Sequence, residues 1–159
     1  MGKEIEHRFL VNPDKLPRAL GPGRRFWQGY LSFGPTVRVR LAQTGSKSTG
    51  YLTIKGPGMR MRSEFEYEIP SKDALELLKL CGPYTLEKTR YQLGNWEVDR
   101  YYGRHAGLWL AELELPSEKS KLPVRLPEWL GREVTTDRRF TNSNLVRLTK
   151  AGEWKRLLK

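Results

Sequence analysis

The chain of 159 residues contains a single cysteine and only two histidines. Cys81 alone can form no intrachain disulfide, and a zinc site built on thiolates is excluded. His7 and His105 stand apart from each other, and no Ser–His–Asp or Cys–His arrangement supplies a covalent nucleophile. No apolar run approaches the length of about 20 residues that crosses a bilayer, and the opening Met1-Gly2-Lys3-Glu4 lacks the apolar stretch of a signal peptide. A reducing cytoplasm is therefore the expected location, with no membrane partner. No Walker-type glycine loop occurs, since Lys55-Gly56-Pro57-Gly58 is a turn and not a phosphate cradle. Repeats and low-complexity linkers are missing too, so residues 1–159 are expected to form one domain.

What the chain does have is charge. Twenty-nine Lys and Arg against eighteen Asp and Glu give a net charge of +11 and call for a polyanionic partner. A nucleic acid and a small polyphosphate both qualify at this level. The cations are not gathered in a tail but spread through strand-like segments in which every second residue is charged: Glu4 to Val11, Val37 to Leu41, Arg62 to Ile69 and Ala111 to Leu115. Successive side chains of a strand point to opposite faces, so each segment has one charged and one apolar face.

Further strand patterns occupy 28–33, 36–41, 51–55, 60–69, 86–93, 95–101 and 108–115, punctuated by Gly and Pro turns. Ser71 is the expected N-cap of a helix that ends at Gly82-Pro83, and 143–158 reads as an amphipathic C-terminal helix broken near Gly152. Short strands with regular turns favour a mainly β, antiparallel barrel with flanking helices. In a closed barrel, one face of every strand points inside. Apolar alternates such as Val37, Val39, Phe65 and Leu113 suit packing outside, which turns the charged faces inward.

Carboxylates two apart on a strand, Glu4 with Glu6 and Glu112 with Glu114, sit about 7 Å from one another on one face. That spacing serves hard cations such as Mg²⁺ or Mn²⁺, which take oxygen ligands. Arg38 with Arg40, and Lys88 with Arg90, likewise share faces and suit phosphate oxygens. A solvated sheet face explains any one such pair; several of both signs in one small domain favour a lined interior.

Glu4-Ile5-Glu6-His7-Arg8 resembles the Glu-x-Glu-x-Lys signature that opens the CYTH domain, the triphosphate tunnel metalloenzyme superfamily. The similarity continues through Val37-Arg38-Val39-Arg40, Tyr51 to Gly56, Glu64 to Pro70, Lys88-Thr89-Arg90-Tyr91, Trp96 to Asp99, Leu110 to Leu115 and Asn142 to Leu145. It covers nearly the whole chain in order and is greatest to the short bacterial branch.

The resemblance implies an eight-stranded antiparallel tunnel that hydrolyses inorganic triphosphate, with nucleoside triphosphates as weaker substrates, using Mg²⁺ or Mn²⁺. Glu4, Glu6, Asp99, Glu112 and Glu114 are the implied metal-binding carboxylates and, with Arg8, the catalytic set. Arg38, Arg40, Lys55, Arg62, Glu64, Glu66, Lys88, Arg90 and Arg139 are the implied substrate-binding residues. An adenylyl cyclase or thiamine triphosphatase in the same tunnel, and a non-catalytic polyphosphate or nucleotide binder, are the alternatives. A small-molecule triphosphate is the expected partner, nucleic acid is not expected, and a homodimer follows by analogy alone. Two departures from the family pattern stand out: Arg8 replaces the signature lysine, and Phe140 stands where a tyrosine is frequent.

Overall fold

The computed structural model describes residues 5–57, 63–117 and 119–159. Among these residues nine antiparallel strands form one sheet: β1 (Ile5–Val11), β2 (Gly23–Phe33), β3 (Thr36–Thr44), β4 (Lys47–Lys55), β5 (Glu64–Ile69), β6 (Thr85–Leu93), β7 (Trp96–Tyr101), β8 (Trp109–Leu115) and β9 (Leu130–Glu133). Their order is β5-β4-β3-β2-β6-β7-β8-β1-β9. Among the described residues no ladder joins β5 to β9, so hydrogen bonds do not close the ring. The sheet is nevertheless curled. Side chains from every strand between β1 and β8 line a single cavity, which makes these eight the tunnel wall, while the short β9 flanks β1 outside that set.

Strand alternation separates two environments. On the outer face of β1, β7 and β8, Phe9, Trp96, Val98, Ala111 and Leu113 pack with Trp129. On the outer face of β3, Val39 and Leu41 pack beneath the helix α1 (Ser71–Leu80) through Ala74, with Leu77 and Leu78 joining them. Ser71 is the first residue of α1 and Pro70 takes the cap position without a side-chain hydrogen bond, one residue earlier than expected. Gly50 of β4 is what lets the helix approach: a Cβ there would lie 2.9 Å from the Ala74 Cβ and 2.9 Å from the Ile69 carbonyl.

A third cluster fills one end of the concave side. Tyr30, Leu86, Tyr101 and Leu110 from the sheet meet Phe140, Leu145, Val146, Trp154 and Leu157 from the C-terminal segment. That segment is not the single helix the periodicity predicts. It comprises a short helix α2 (Asn142–Leu145) and a 3₁₀ turn (Glu153–Leu158), separated at Gly152, whose φ of 72° is left-handed. The burial pattern was legible, but the conformation was not. Among the described residues no helix is long and apolar enough to cross a membrane.

Candidate active site

The inward faces converge on a cavity of about 460 Å³. Residue pairing decides who meets whom. On one side, the β1–β8 register sets Glu6 opposite Glu114 and Arg8 opposite Glu112. On the other, β3 contributes Arg38 and Arg40, β4 Lys55, β5 Glu64 and β6 Arg90. The cavity thus has an acidic wall and a basic wall.

On the acidic wall Arg8 ties two carboxylates together. Its Nε donates to Glu112 Oε1 at 3.0 Å and its Nη2 to Glu6 Oε1 at 2.8 Å. Burial, and then the neighbouring Glu112 charge, push the Glu6 carboxyl up to about 7 against the pull of Arg8. Proton sharing between close carboxylates is the expected response when like charges face one another.

The basic wall is built on an aromatic floor. Phe26, only 2% exposed, lies beneath the Arg40 guanidinium at 4.4 Å and beneath those of Arg90 and Arg24 at 5.3 Å each. The ring face attracts these cations while taking no hydrogen bond from them. Arg40 Nε donates to Gln28 Oε1 at 2.9 Å. Burial, followed by repulsion from Arg38 and Arg90, lowers Arg40 to about 9. Concentrated positive charge of this kind is costly until an anion arrives.

Beneath that wall two buried charges, Lys88 and Asp99, are knotted to Arg90. Asp99 Oδ2 accepts from Lys88 Nζ at 2.8 Å and from Arg90 Nη2 at 2.9 Å, while Oδ1 accepts from Arg90 Nε at 2.8 Å. Burial alone would raise the Asp99 carboxyl; Lys88 and Arg90 override it and hold the group well below the usual carboxylate range. Both its oxygens accept from cations here, where the resemblance implies a metal ligand. Lys88, an expected substrate-binding residue, is 0% exposed, is absent from the cavity lining and pairs with Asp99 behind Arg90.

The other expected residues sort as follows. Glu6, Arg8, Arg38, Arg40, Lys55, Glu64, Arg90, Glu112 and Glu114 all line the one cavity. Glu66 lies beside it, accepting from Thr53 Oγ1 at 2.8 Å and facing Arg38 at 3.6 Å. Arg139 is not brought there: it belongs to a 3₁₀ turn, and both its Nε and Nη2 donate to Asp137 outside the cavity lining. Glu4 and Arg62 lie outside the described residues. Sequence reasoning missed Glu97, which lines the cavity and pairs with Arg90 at 3.1 Å, although its alternation with Asp99 carried the same signal as the other pairs. It also missed Asn142, which lines the cavity and accepts from the Tyr101 hydroxyl at 2.7 Å.

Hard oxygen donors on one wall suit a divalent cation such as Mg²⁺ or Mn²⁺ in kind. Among the described residues no three carboxylates converge tightly enough to form a metal cage, and the positive charge between Glu6 and Glu112 is Arg8 itself. Glu6, Glu112 and Glu114 are the donors that would hold such an ion.

A curled antiparallel sheet with cations on one inner wall and carboxylates on the facing one defines a class: tunnel proteins that enclose a small polyanion together with a metal ion. The comparisons place the chain within it. A family model for the CYTH domain matches residues 2–143, and the chain belongs to that family. It is 44% identical over 153 residues to an inorganic triphosphatase of Acetivibrio thermocellus, covering 92% of this chain and 95% of that protein. It is 36% identical over 154 residues to an inorganic triphosphatase of Nitrosomonas europaea, covering 90% and 96% respectively. A crystal structure of an inorganic triphosphatase superposes with a TM-score of 0.66 at 31% identity, covering 92% of this chain and 95% of the other.

Proposed function

We propose that this protein hydrolyses inorganic triphosphate with the help of a divalent metal ion, Mg²⁺ or Mn²⁺. The observation that carries this reading is the facing of Arg38, Arg40 and Arg90 across one cavity from Glu6, Glu112 and Glu114. A linear anion with several negative charges matches the basic wall, and its metal counter-ion matches the acidic one. A long polyanion alone gains nothing from carboxylates that face it, since like charges repel.

Each residue then has a physical task. Arg38 and Arg40 offer guanidinium forks to phosphate oxygens, and Lys55 adds a compact charge at the same wall. Arg90 does likewise, its orientation fixed from behind by Asp99 and from the side by Glu97. Lys88 contributes through Asp99, keeping that carboxylate ionised and in place. The divalent ion, when bound at the acidic wall, supplies charge neutralisation and a more acidic water. Positioning and charge stabilisation account for the rate, without a covalent intermediate. Among the described residues no cysteine or histidine lines the cavity; Ser143 does, with the Thr141 hydroxyl at 3.3 Å and not a base beside it, while Cys81 is buried near Gly29 and His105 is buried with its Nε2 donating to the Leu145 carbonyl at 2.7 Å.

The test is incubation of the purified protein with tripolyphosphate and Mg²⁺ or Mn²⁺, reading phosphate release. ATP and thiamine triphosphate run in parallel distinguish the related activities, since a cyclase alone produces pyrophosphate and cyclic AMP. Release no greater than that of a Glu6→Ala, Glu112→Ala variant would remove the proposal.

A further inference from the structure

Arg8 is placed where a metal ion competes with it. The β1–β8 register puts it directly opposite Glu112, and Glu6, two residues earlier, shares its face. Its fork divides between them, with different nitrogens donating to different carboxylates at 3.0 and 2.8 Å. A lysine at this position would bring one compact point charge in place of two separated donors. The backbone of Arg8 is pinned by the residues that follow β9: its N–H donates to Thr135 Oγ1 at 3.0 Å and its carbonyl accepts from the Val134 N–H at 2.7 Å. Only the side chain is free to change partners.

We propose that Arg8 is the resident counter-cation of the acidic wall, holding Glu6 and Glu112 until a divalent ion takes one of them and the released guanidinium turns to the bound anion. Two consequences follow from charge alone. A metal ion approaching Glu6 or Glu112 meets a fixed positive charge within contact distance, so metal binding to the empty protein is weakened. An anion in the cavity accepts the displaced guanidinium, so anion and metal strengthen each other's binding by the same factor, as linkage requires. Substrate and metal ion are thereby taken up together, and the metal-free wall avoids facing carboxylates with no cation between them.

This inference rests on the reading of a metal-assisted triphosphatase, but its test involves no turnover. Mn²⁺ binding is titrated calorimetrically in the wild-type protein and in Arg8→Lys and Arg8→Gln, without triphosphate. Arg8→Gln is expected to bind Mn²⁺ about tenfold more tightly or better, the scale of one removed charge contact, with Arg8→Lys between. Saturating sulfate, an anion that chelates Mn²⁺ weakly, should tighten Mn²⁺ binding to the wild type and have much less effect on Arg8→Gln. Unchanged or weaker Mn²⁺ affinity in a folded Arg8→Gln overturns the inference. If that variant does not fold, Arg8→Lys binding no more tightly than wild type, or a wild-type affinity indifferent to sulfate, does so instead. A protein that binds Mn²⁺ as expected yet leaves tripolyphosphate intact refutes the activity and leaves the counter-cation role standing. One that cleaves tripolyphosphate while Arg8→Gln binds no tighter refutes only the role of Arg8.

Discussion

Lys88 and Asp99 form a hydrogen-bonded ion pair at 2.8 Å with side-chain exposures of 0% and 2%. Such a pair is not evidence of net stability against an apolar pair, but removing one member leaves the other charge buried. Asp99→Ala is therefore expected to destabilise the fold by about 3–5 kcal/mol, read as a lower urea midpoint with an unchanged slope. Because the folded Asp99 carboxyl lies below its unfolded value of 3.8, its contribution is present above about pH 4 and is lost on acidification. An Asp99→Ala variant as stable as wild type at neutral pH would show that Lys88 finds another partner.

That pair also marks what the sequence could and could not reveal. Alternation put Glu6, Arg8, Arg38, Arg40, Arg90, Glu112 and Glu114 on inward faces, and they meet in one cavity because a period-2 pattern fixes the face. It does not fix partners across strands. Asp99 shares a face with the acidic residues, yet register brings it between Lys88 and Arg90. Phe26 escaped notice because an apolar residue beside Trp27 reads as ordinary core, although it floors the arginine cluster. Arg139 was assigned through resemblance rather than strand position, and its 3₁₀ turn directs it to Asp137.

Glu6 makes a second, opposite pH prediction. Its folded value of about 7 lies above the unfolded 4.5, so the stability it contributes is complete below 4.5 and is lost as pH rises through 7. Its side chain remains 41% exposed, and solvent screening keeps the effect small, about 1 kcal/mol. Thermal melts with chelator present should show wild type losing ground to Glu6→Gln between about pH 5 and pH 8. Parallel curves would assign the titration elsewhere.

The crowded cations of the basic wall predict a ligand effect that needs no metal. Burial and the charges of Arg38 and Arg90 already depress Arg40, so an anion entering the cavity relieves repulsion as well as making contacts. Tripolyphosphate added with chelator should raise the melting temperature, equivalent to about 2.7 kcal/mol at a hundred times its dissociation constant. Arg38→Gln with Arg40→Gln should lose most of that gain. Equal gains in both proteins would locate the anion outside the cavity.

The C-terminal segment is a structural wall, and this separates two roles it could have. If it were only a lid, a chain ending at Thr141 would fold and differ in kinetics alone. Phe140, Leu145 and Val146 are each 0% exposed, however, and Trp154 and Leu157 are 7% and 8% exposed in the same cluster as Tyr30, Tyr101 and Leu110. His105 and Trp154 add hydrogen bonds, from His105 Nε2 to the Leu145 carbonyl at 2.7 Å and from Trp154 Nε1 to the Ala106 carbonyl at 3.2 Å. Truncation after Thr141 would expose the apolar end of the sheet, and it is expected to abolish cooperative unfolding. Trp154→Ala, which removes one large side chain and leaves a cavity, should cost about 3–5 kcal/mol. Since Asn142 both lines the active cavity and holds the Tyr101 hydroxyl, Trp154→Ala should lower stability with little change in kcat, whereas Asn142→Ala should lower kcat as well. A folded chain ending at Thr141 that differs from the full chain only in its kinetics would make the segment a lid and not a wall.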